Sequence, residues 1–226
     1  MYTFFQKLYY KYFDLSKNEY RRLYGYFNTC RKILDVGCGQ GDFCFLDPKK
    51  IIGIDMNTAS LEKAKRIGCN VRFGDARKIP FAKLFFDGIF CAHIIEHFTV
   101  PDALKMLKEV HRVLKPGGIL IIQTPLMHNA FYNNFTHEKV YAPEAIMRYL
   151  SKTNQTVFPN IGEYDVVKLI YRYAPLYNPV FEPKRLPDGI QKTILVMMKI
   201  ISILFYSIGI RNYLHKDGYT LILRKK

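Results

Sequence analysis

Three glycines at alternate positions, Gly37, Gly39 and Gly41, directly follow the apolar run Ile33, Leu34 and Val36 in residues 31–41, RKILDVGCGQG. Glycines placed there let the chain turn sharply at the carboxyl end of a buried strand, and they let a ligand approach the main chain without meeting a Cβ. A ligand against such a turn meets N–H groups of the loop and of the helix after it, which suits a carboxylate or a phosphate. Asp35 stands just ahead of the turn. Asp55 closes a second apolar run, IIGID, where an acidic side chain can accept from both hydroxyls of a ribose. The chemistry on offer is the binding of a nucleoside that also carries an anionic group.

Glycine spacing narrows the choice. The dinucleotide fingerprint is G-x-G-x-x-G, whereas here the third glycine comes one residue early, which disfavours a nicotinamide oxidoreductase. The G-x-G-x-G pattern preceded by Asp35 resembles motif I of the class I S-adenosylmethionine (SAM) methyltransferases. Further segments match in family order: IIGID, FGDARKIPF, FFDGIFCAHIIEHF and VLKPGGILIIQTP. Together they cover about residues 32–125 and are similar to the type 11, ubiquinone-pathway-like group.

That resemblance implies SAM as cofactor and a role for each matching residue. Loop N–H groups around Gly37, Gly39 and Gly41 are expected to take the methionine carboxylate, and Asp35 the ammonium. Asp55 is expected at the ribose and Met56 against the adenine. Asp75 and Ala76 are expected at the adenine amino group and ring, and Cys91, at the end of the fourth strand, is also expected beside the cofactor.

Methyl transfer from a sulfonium is an in-line displacement, so the protein mainly holds the nucleophile and removes its proton if necessary. A base must lie at the carboxyl ends of the fourth and fifth strands. His93 heads the candidates, followed by His97, Glu96 and His137; imidazole suits neutral pH without large tuning. His93, Glu96 and His97 also stand at i, i+3 and i+4, a face that can bind a divalent ion. Some small-RNA and quinone methyltransferases carry a metal-binding Glu-x-x-Glu-His version here; His93 replaces the first Glu, and no metal is expected.

The elements that must position these residues alternate. Strands are expected at 32–36, 51–54, 71–73, 88–91 and 119–123, and a helix at 101–115 with Leu104, Leu107, Val110, His111 and Leu114 as its buried stripe. The fold expected is a Rossmann-like, doubly wound, mostly parallel seven-stranded sheet. Its C-terminal pair, 165–173 and 218–224, is expected to be antiparallel. Another helix is expected at 141–150.

Residues 1–30 form an expected helical lid or anchor ahead of a cofactor-binding domain at 31–226; 11 of the 34 aromatics lie in residues 1–27, and Phe5, Leu8, Tyr9 and Tyr12 share a helical face. An apolar helical insertion is expected at about 185–212. Its core, 193–210, carries one charge, Lys199. It does not read as a span, because the terminal strand must rejoin the sheet. It packs on the protein, lies flat on a membrane, or makes a homodimer interface.

The net charge of +15 is spread along the chain and selects no partner by itself. No signal peptide is legible, and five cysteines without a C-x-x-C pair fit reduced thiols in the cytoplasm. The leading expectation is a methyltransferase acting on O or N of a small or lipid-linked acceptor, cytoplasmic or peripheral at an anionic membrane. The rivals are an RNA (tRNA) methyltransferase, for which no RNA-binding module is legible, and a non-catalytic SAM-fold scaffold.

Overall fold

Apolar runs and helical stripes alternate along the chain, and in the computed structural model they fold into one seven-stranded sheet. The structure describes residues 15–128, 131–150, 161–175, 197 and 214–226. Strands β1 (Ile33–Val36), β2 (Ile51–Asp55), β3 (Val71–Phe73), β4 (Phe86–Ala92) and β5 (Leu114–Pro125) run parallel. β6 (Tyr164–Pro175) and β7 (Leu214–Lys225) complete the sheet in the order β3-β2-β1-β4-β5-β7-β6, with β7 antiparallel to both neighbours. The order reverses between β1 and β4, and a cleft at the carboxyl ends of the strands is the consequence.

Four helices matter to the site: α1 (Leu15–Tyr24), α2 (Thr58–Arg66), α3 (Val100–Val113) and α4 (Pro143–Tyr149). Alternation along the strands divides the core. Leu34, Val36, Ile89, Cys91, Leu120 and Ile122 face the α3 side. Ile33, Phe90, Ile119 and Ile121 face Leu23 of α1, Phe27, and Leu61 and Ala64 of α2. Strands covered on both faces read as continuous apolar runs, which is why β1 is buried at every position.

The expected helix at 101–115 differs in phase and end. Its buried stripe is Ala103, Met106, Leu107, Val110 and Val113, while Leu104 and His111 are only half-buried. Leu114 leaves the helix with an extended ψ of 133° and pairs with Phe86 in the sheet, so the helix stops at Val113. The buried Lys225 ammonium holds this junction, donating to the carbonyls of His111 (2.6 Å) and Leu114 (2.7 Å). Helix ends leave such carbonyls unpaired, and a cation satisfies them well. The five cysteines are free and buried.

The aromatic face at 5–12 and, apart from Met197, the apolar stretch at 193–210 lie outside the described residues. Among the described residues no helix is long and apolar enough to cross a membrane.

Gly88 is where the N-terminal segment meets β4. A Cβ there would fall 2.5 Å from the ring of Phe27, a side chain with no exposed surface. Gly88→Ala is expected to destabilise the fold by about 1–3 kcal/mol through overpacking. Urea unfolding checks this: the midpoint falls with an unchanged m-value, and an unmoved midpoint would show that Phe27 yields freely.

Candidate functional site

The glycine turn leaves β1 with φ values of +74° at Gly37, +52° at Gly39 and +90° at Gly41, a region that side chains other than glycine enter at a cost. The first and third also make room for neighbours. A Cβ at Gly37 would lie 2.7 Å from Ile94 Cδ1, and one at Gly41 would lie 2.9 Å from Cys69 Sγ and 3.0 Å from Ala64 Cβ. A Cβ at Gly39 would meet nothing within 4 Å, so the face of the turn open to a ligand is there.

Several N–H groups of the turn are paired within the protein. Those of Gly37 (2.8 Å) and Cys38 (3.0 Å) donate to the Ile54 carbonyl, and that of Gly41 donates to Cys38 O at 2.9 Å. The Gly39 N–H donates to Asp55 Oδ2 at 2.9 Å. The N–H groups of Gly37, Cys38 and Gly39 thus weld the turn to the end of β2, and that of Gly41 closes the turn on itself.

Asp55 sits where β2 ends, its other oxygen accepting from Asn57 N–H at 2.7 Å. A carboxylate has about four acceptor positions, so a lone pair on each oxygen remains for a hydroxyl. Met56, next along, is half exposed at the lip of the site. Asp35 is buried on the α1 side of β1 and takes a hydrogen bond from the Cys44 thiol at 3.3 Å. Burial drives its carboxyl up to about 7; the thiol pulls the other way, and the charges of Asp55 and Asp42 add to the rise.

Asp75 meets a competitor for its expected adenine contact. Its Oδ1 accepts from the Arg77 backbone N–H (2.8 Å), and both its oxygens accept from the Arg77 guanidinium, at 2.9 Å from Nη2. That pairing holds the Asp75 carboxyl below the usual range. The other arm of Arg77 reaches Asp102 Oδ2 at 3.1 Å. Ala76 beside it is buried. The Cys91 side chain is fully buried in the α3-side core, and burial raises its thiol pKa. Strand alternation turns it away from the Asp35 side, so its thiol does not line the site.

The histidines gather at the carboxyl ends of β4 and β5. His93 Nδ1 lies 3.2 Å from Glu96 Oε1, and Glu96, with no exposed surface, accepts from Thr124 Oγ1 through Oε2 at 3.1 Å. His97 Nδ1 lies 3.0 Å from Thr136 O, and His137 Nδ1 lies 2.8 Å from Phe131 O. The rings of His97 and His137 meet edge-on at 4.9 Å between centroids. Glu96, His97 and His137 bring one ligand-capable atom each within 4.8 Å of one another, so this trio could hold a divalent ion. This trio differs from the 93, 96 and 97 spacing weighed in the sequence, because residues 95–97 form a single 3-10 turn rather than an α-helical face.

Sequence reasoning missed several members: Cys44, Arg77, Thr124, and the clasp in which Gln123 Nε2 donates to Glu19 Oε1 of α1 at 3.0 Å. The polar pair Gln123-Thr124 ending an apolar strand was the available signal. Tyr20 of α1 packs edge-on against Phe43 and Phe90, so α1 covers this end of the sheet.

Residues 29–174 match a protein family described as "Methyltransferase domain". A demethylmenaquinone methyltransferase of Lactococcus lactis is 37% identical over 122 residues, covering 46% of this chain and 48% of that protein. A probable tRNA methyltransferase 9B of Mus musculus is 30% identical over 129 residues, covering 55% of this chain and 29% of that protein. The chain thus spans about half or less of these relatives. A SAM-dependent methyltransferase structure from Archaeoglobus fulgidus superposes with a TM-score of 0.65 at 20% identity, over 98% of this chain and 99% of that one, and shares its fold.

The raised Asp35 pKa makes stability pH-dependent. Asp35 keeps its proton in the folded chain up to about pH 7, whereas in the unfolded chain it ionises near ~4. Its contribution is fully present below ~pH 4 and is lost as pH rises through about 7. Relative to Asp35→Asn, the wild type is expected to lose up to about 4 kcal/mol between pH 4 and 8. Denaturant unfolding across that range checks it; a constant difference between the two proteins would show that the carboxyl stays ionised.

Proposed function

The chain belongs to the methyltransferase-domain family with S-adenosylmethionine as methyl donor, and from that premise we propose that it methylates an oxygen or nitrogen of a small or lipid-linked acceptor. The observation that carries this reading is the placement of the glycine turn, Asp55 and His93 at the carboxyl ends of the adjacent parallel strands β1, β2 and β4.

SAM supplies an activated methyl on a sulfonium whose leaving group is a neutral thioether. The residues of this chain do the rest. Asp55 accepts from the ribose hydroxyls with its remaining lone pairs, and the open face of Gly39 lets the cofactor approach the main chain. Met56, Asp75 and Ala76 flank the adenine, with Arg77 steering Asp75. Asp35 would meet the ammonium as a carboxylate, its proton passing to bulk water as the cation takes its place. His93 takes the acceptor's proton as the new bond forms, which a placed base accelerates by ~10²–10⁴-fold.

Three features favour a lipid-linked acceptor. Met127, Tyr132 and Phe135 are largely exposed on the segment after β5, beside the histidines. The sequence carries the apolar run 193–210. One relative is named for a quinone precursor. An RNA acceptor is the second reading, favoured by the tRNA methyltransferase relative and the net charge of +15.

Calorimetry with SAM and with S-adenosylhomocysteine tests the premise for this chain, and absence of heat with both would overturn the cofactor assignment. Asp55→Ala is expected to weaken SAM binding by at least about 1–2 kcal/mol, the scale of a hydrogen-bonded charged contact. Tritiated SAM incubated in parallel with a solvent-extracted lipid fraction and with bulk tRNA separates the acceptors. Label in solvent-extractable product supports the proposal; label in acid-precipitable RNA overturns its acceptor in favour of RNA.

A further inference from the structure

His93 ends β4 in a conformation unusual for a residue with a side chain, at φ +53°. Such backbone persists where surroundings over-determine it, and it clusters at functional sites. Here the surroundings are explicit. The His93 N–H donates to the Gln123 carbonyl of β5 at 2.9 Å, and the ring lies 3.2 Å through Nδ1 from Glu96 Oε1. The ring is 43% exposed while the Glu96 side chain is wholly buried. The Glu96 carboxylate is held in turn: Thr124 donates to Oε2 at 3.1 Å, and the Glu96 carbonyl accepts from the N–H groups of Glu138 (2.8 Å) and Lys139 (3.3 Å).

We infer that Glu96 is a positioning residue for His93: the buried carboxylate fixes the ring proton on Nδ1 and so presents Nε2, with its lone pair, to the acceptor. This rests on the methyl-transfer reading for its purpose, but not for its geometry. With Glu96 as the carboxylate, which only accepts, the hydrogen between the two side chains belongs to Nδ1. A neutral imidazole carries one such hydrogen, and Nε2 is therefore the basic nitrogen. When Nε2 gains the acceptor's proton the imidazolium stays paired with Glu96, while Thr124 keeps the carboxylate from rotating away. His97 and His137 differ, because their Nδ1 atoms face neutral oxygens, the carbonyl and hydroxyl of Thr136 and the carbonyl of Phe131, which carry no full charge to balance an imidazolium.

The competing use of the same carboxylate is as one ligand of a divalent ion with His97 and His137. Nitrogen-15 spectra of the full chain, labelled in its histidine rings and freed of metal by a chelator, distinguish the two. His93→Gln identifies the His93 signals. The wild type is expected to show His93 as the Nδ1–H tautomer. In Glu96→Gln the amide can donate to Nδ1, so the ratio of Nδ1–H to Nε2–H is expected to fall by about tenfold or more, the equivalent of ~1.4 kcal/mol. SAM affinity should stay unchanged by calorimetry. Thr124→Val, a milder change, should lower the ratio in the same direction and keeps the test decisive if Glu96→Gln does not fold. A wild-type Nε2–H tautomer, a ratio unmoved by the variants, or an Nδ1–H signature that needs added Zn²⁺ or Mn²⁺ would each overturn the inference. Loss of the methyl-transfer reading would show separately, as wild-type protein giving no heat with SAM.

Discussion

The hydrogen bonds joining the glycine turn to the end of β2 are the constraint on which the site depends. One carbonyl, Ile54 O, receives two N–H groups of the turn, and one carboxylate oxygen of Asp55 receives a third. A turn with three residues at positive φ has many accessible shapes when unattached, and ordering each costs about 1–2 kcal/mol. Bound to β2 it has one. The turn therefore meets a ligand already shaped, with its open side at Gly39, and less binding free energy goes into ordering it. Asp55 holds the weld through one lone pair on each oxygen, so the proposed ribose contact would fall on the strand end that also sets the loop beside it.

Two buried carboxyl groups flank that turn and show how partners decide behaviour. Asp35 is offered a thiol, a weak donor that does not offset desolvation, and it is driven toward its protonated form. Glu96 is offered an imidazole nitrogen and a hydroxyl, one for each oxygen. The first is an acceptor short of a positive partner, which an ammonium would supply on arrival. The second is a finished assembly whose effect passes outward through His93. The two carboxyl groups thus differ in kind: Asp35 has one weak thiol partner, whereas each oxygen of Glu96 has a side-chain partner.

Much of the fold could be read from the chain because its signals are local. The strand runs, the G-x-G-x-G turn, Pro101 near a helix start and the terminal strand all depend on neighbours in sequence, and each appears where the residues place it. The phase of α3 was off by one position because Ala103 and Met106 bury as well as Leu104 would, and only contact with the sheet selects among them. The face that Cys91 takes left no signal for a related reason: it depends on register, and one step reverses it. Contacts across long separations left no trace in spacing. His97 with His137, Thr124 with Glu96, and Glu19 with Gln123 meet only once the sheet and α1 are in place.

The two edges of the parallel strands differ in how fully their polar groups are matched. At the amino edge of β4, Asp87 Oδ2 accepts from the backbone N–H groups of Arg31 and Lys32, both at 3.0 Å, and Oδ1 accepts from Lys115 Nζ at 2.6 Å. Lys225 is equally well placed against two carbonyls near the start of β5. At the carboxyl edge, Asp35 lacks a cation among the described residues, and Gln123 Oε1 is buried with no hydrogen-bond partner. A buried polar atom left unpaired costs about 1–3 kcal/mol. Asp55 and Glu96 at the same edge are matched, so Asp35 and Gln123 Oε1 stand out as the acceptors there with a partner to gain, and a donor arriving with a ligand would supply it.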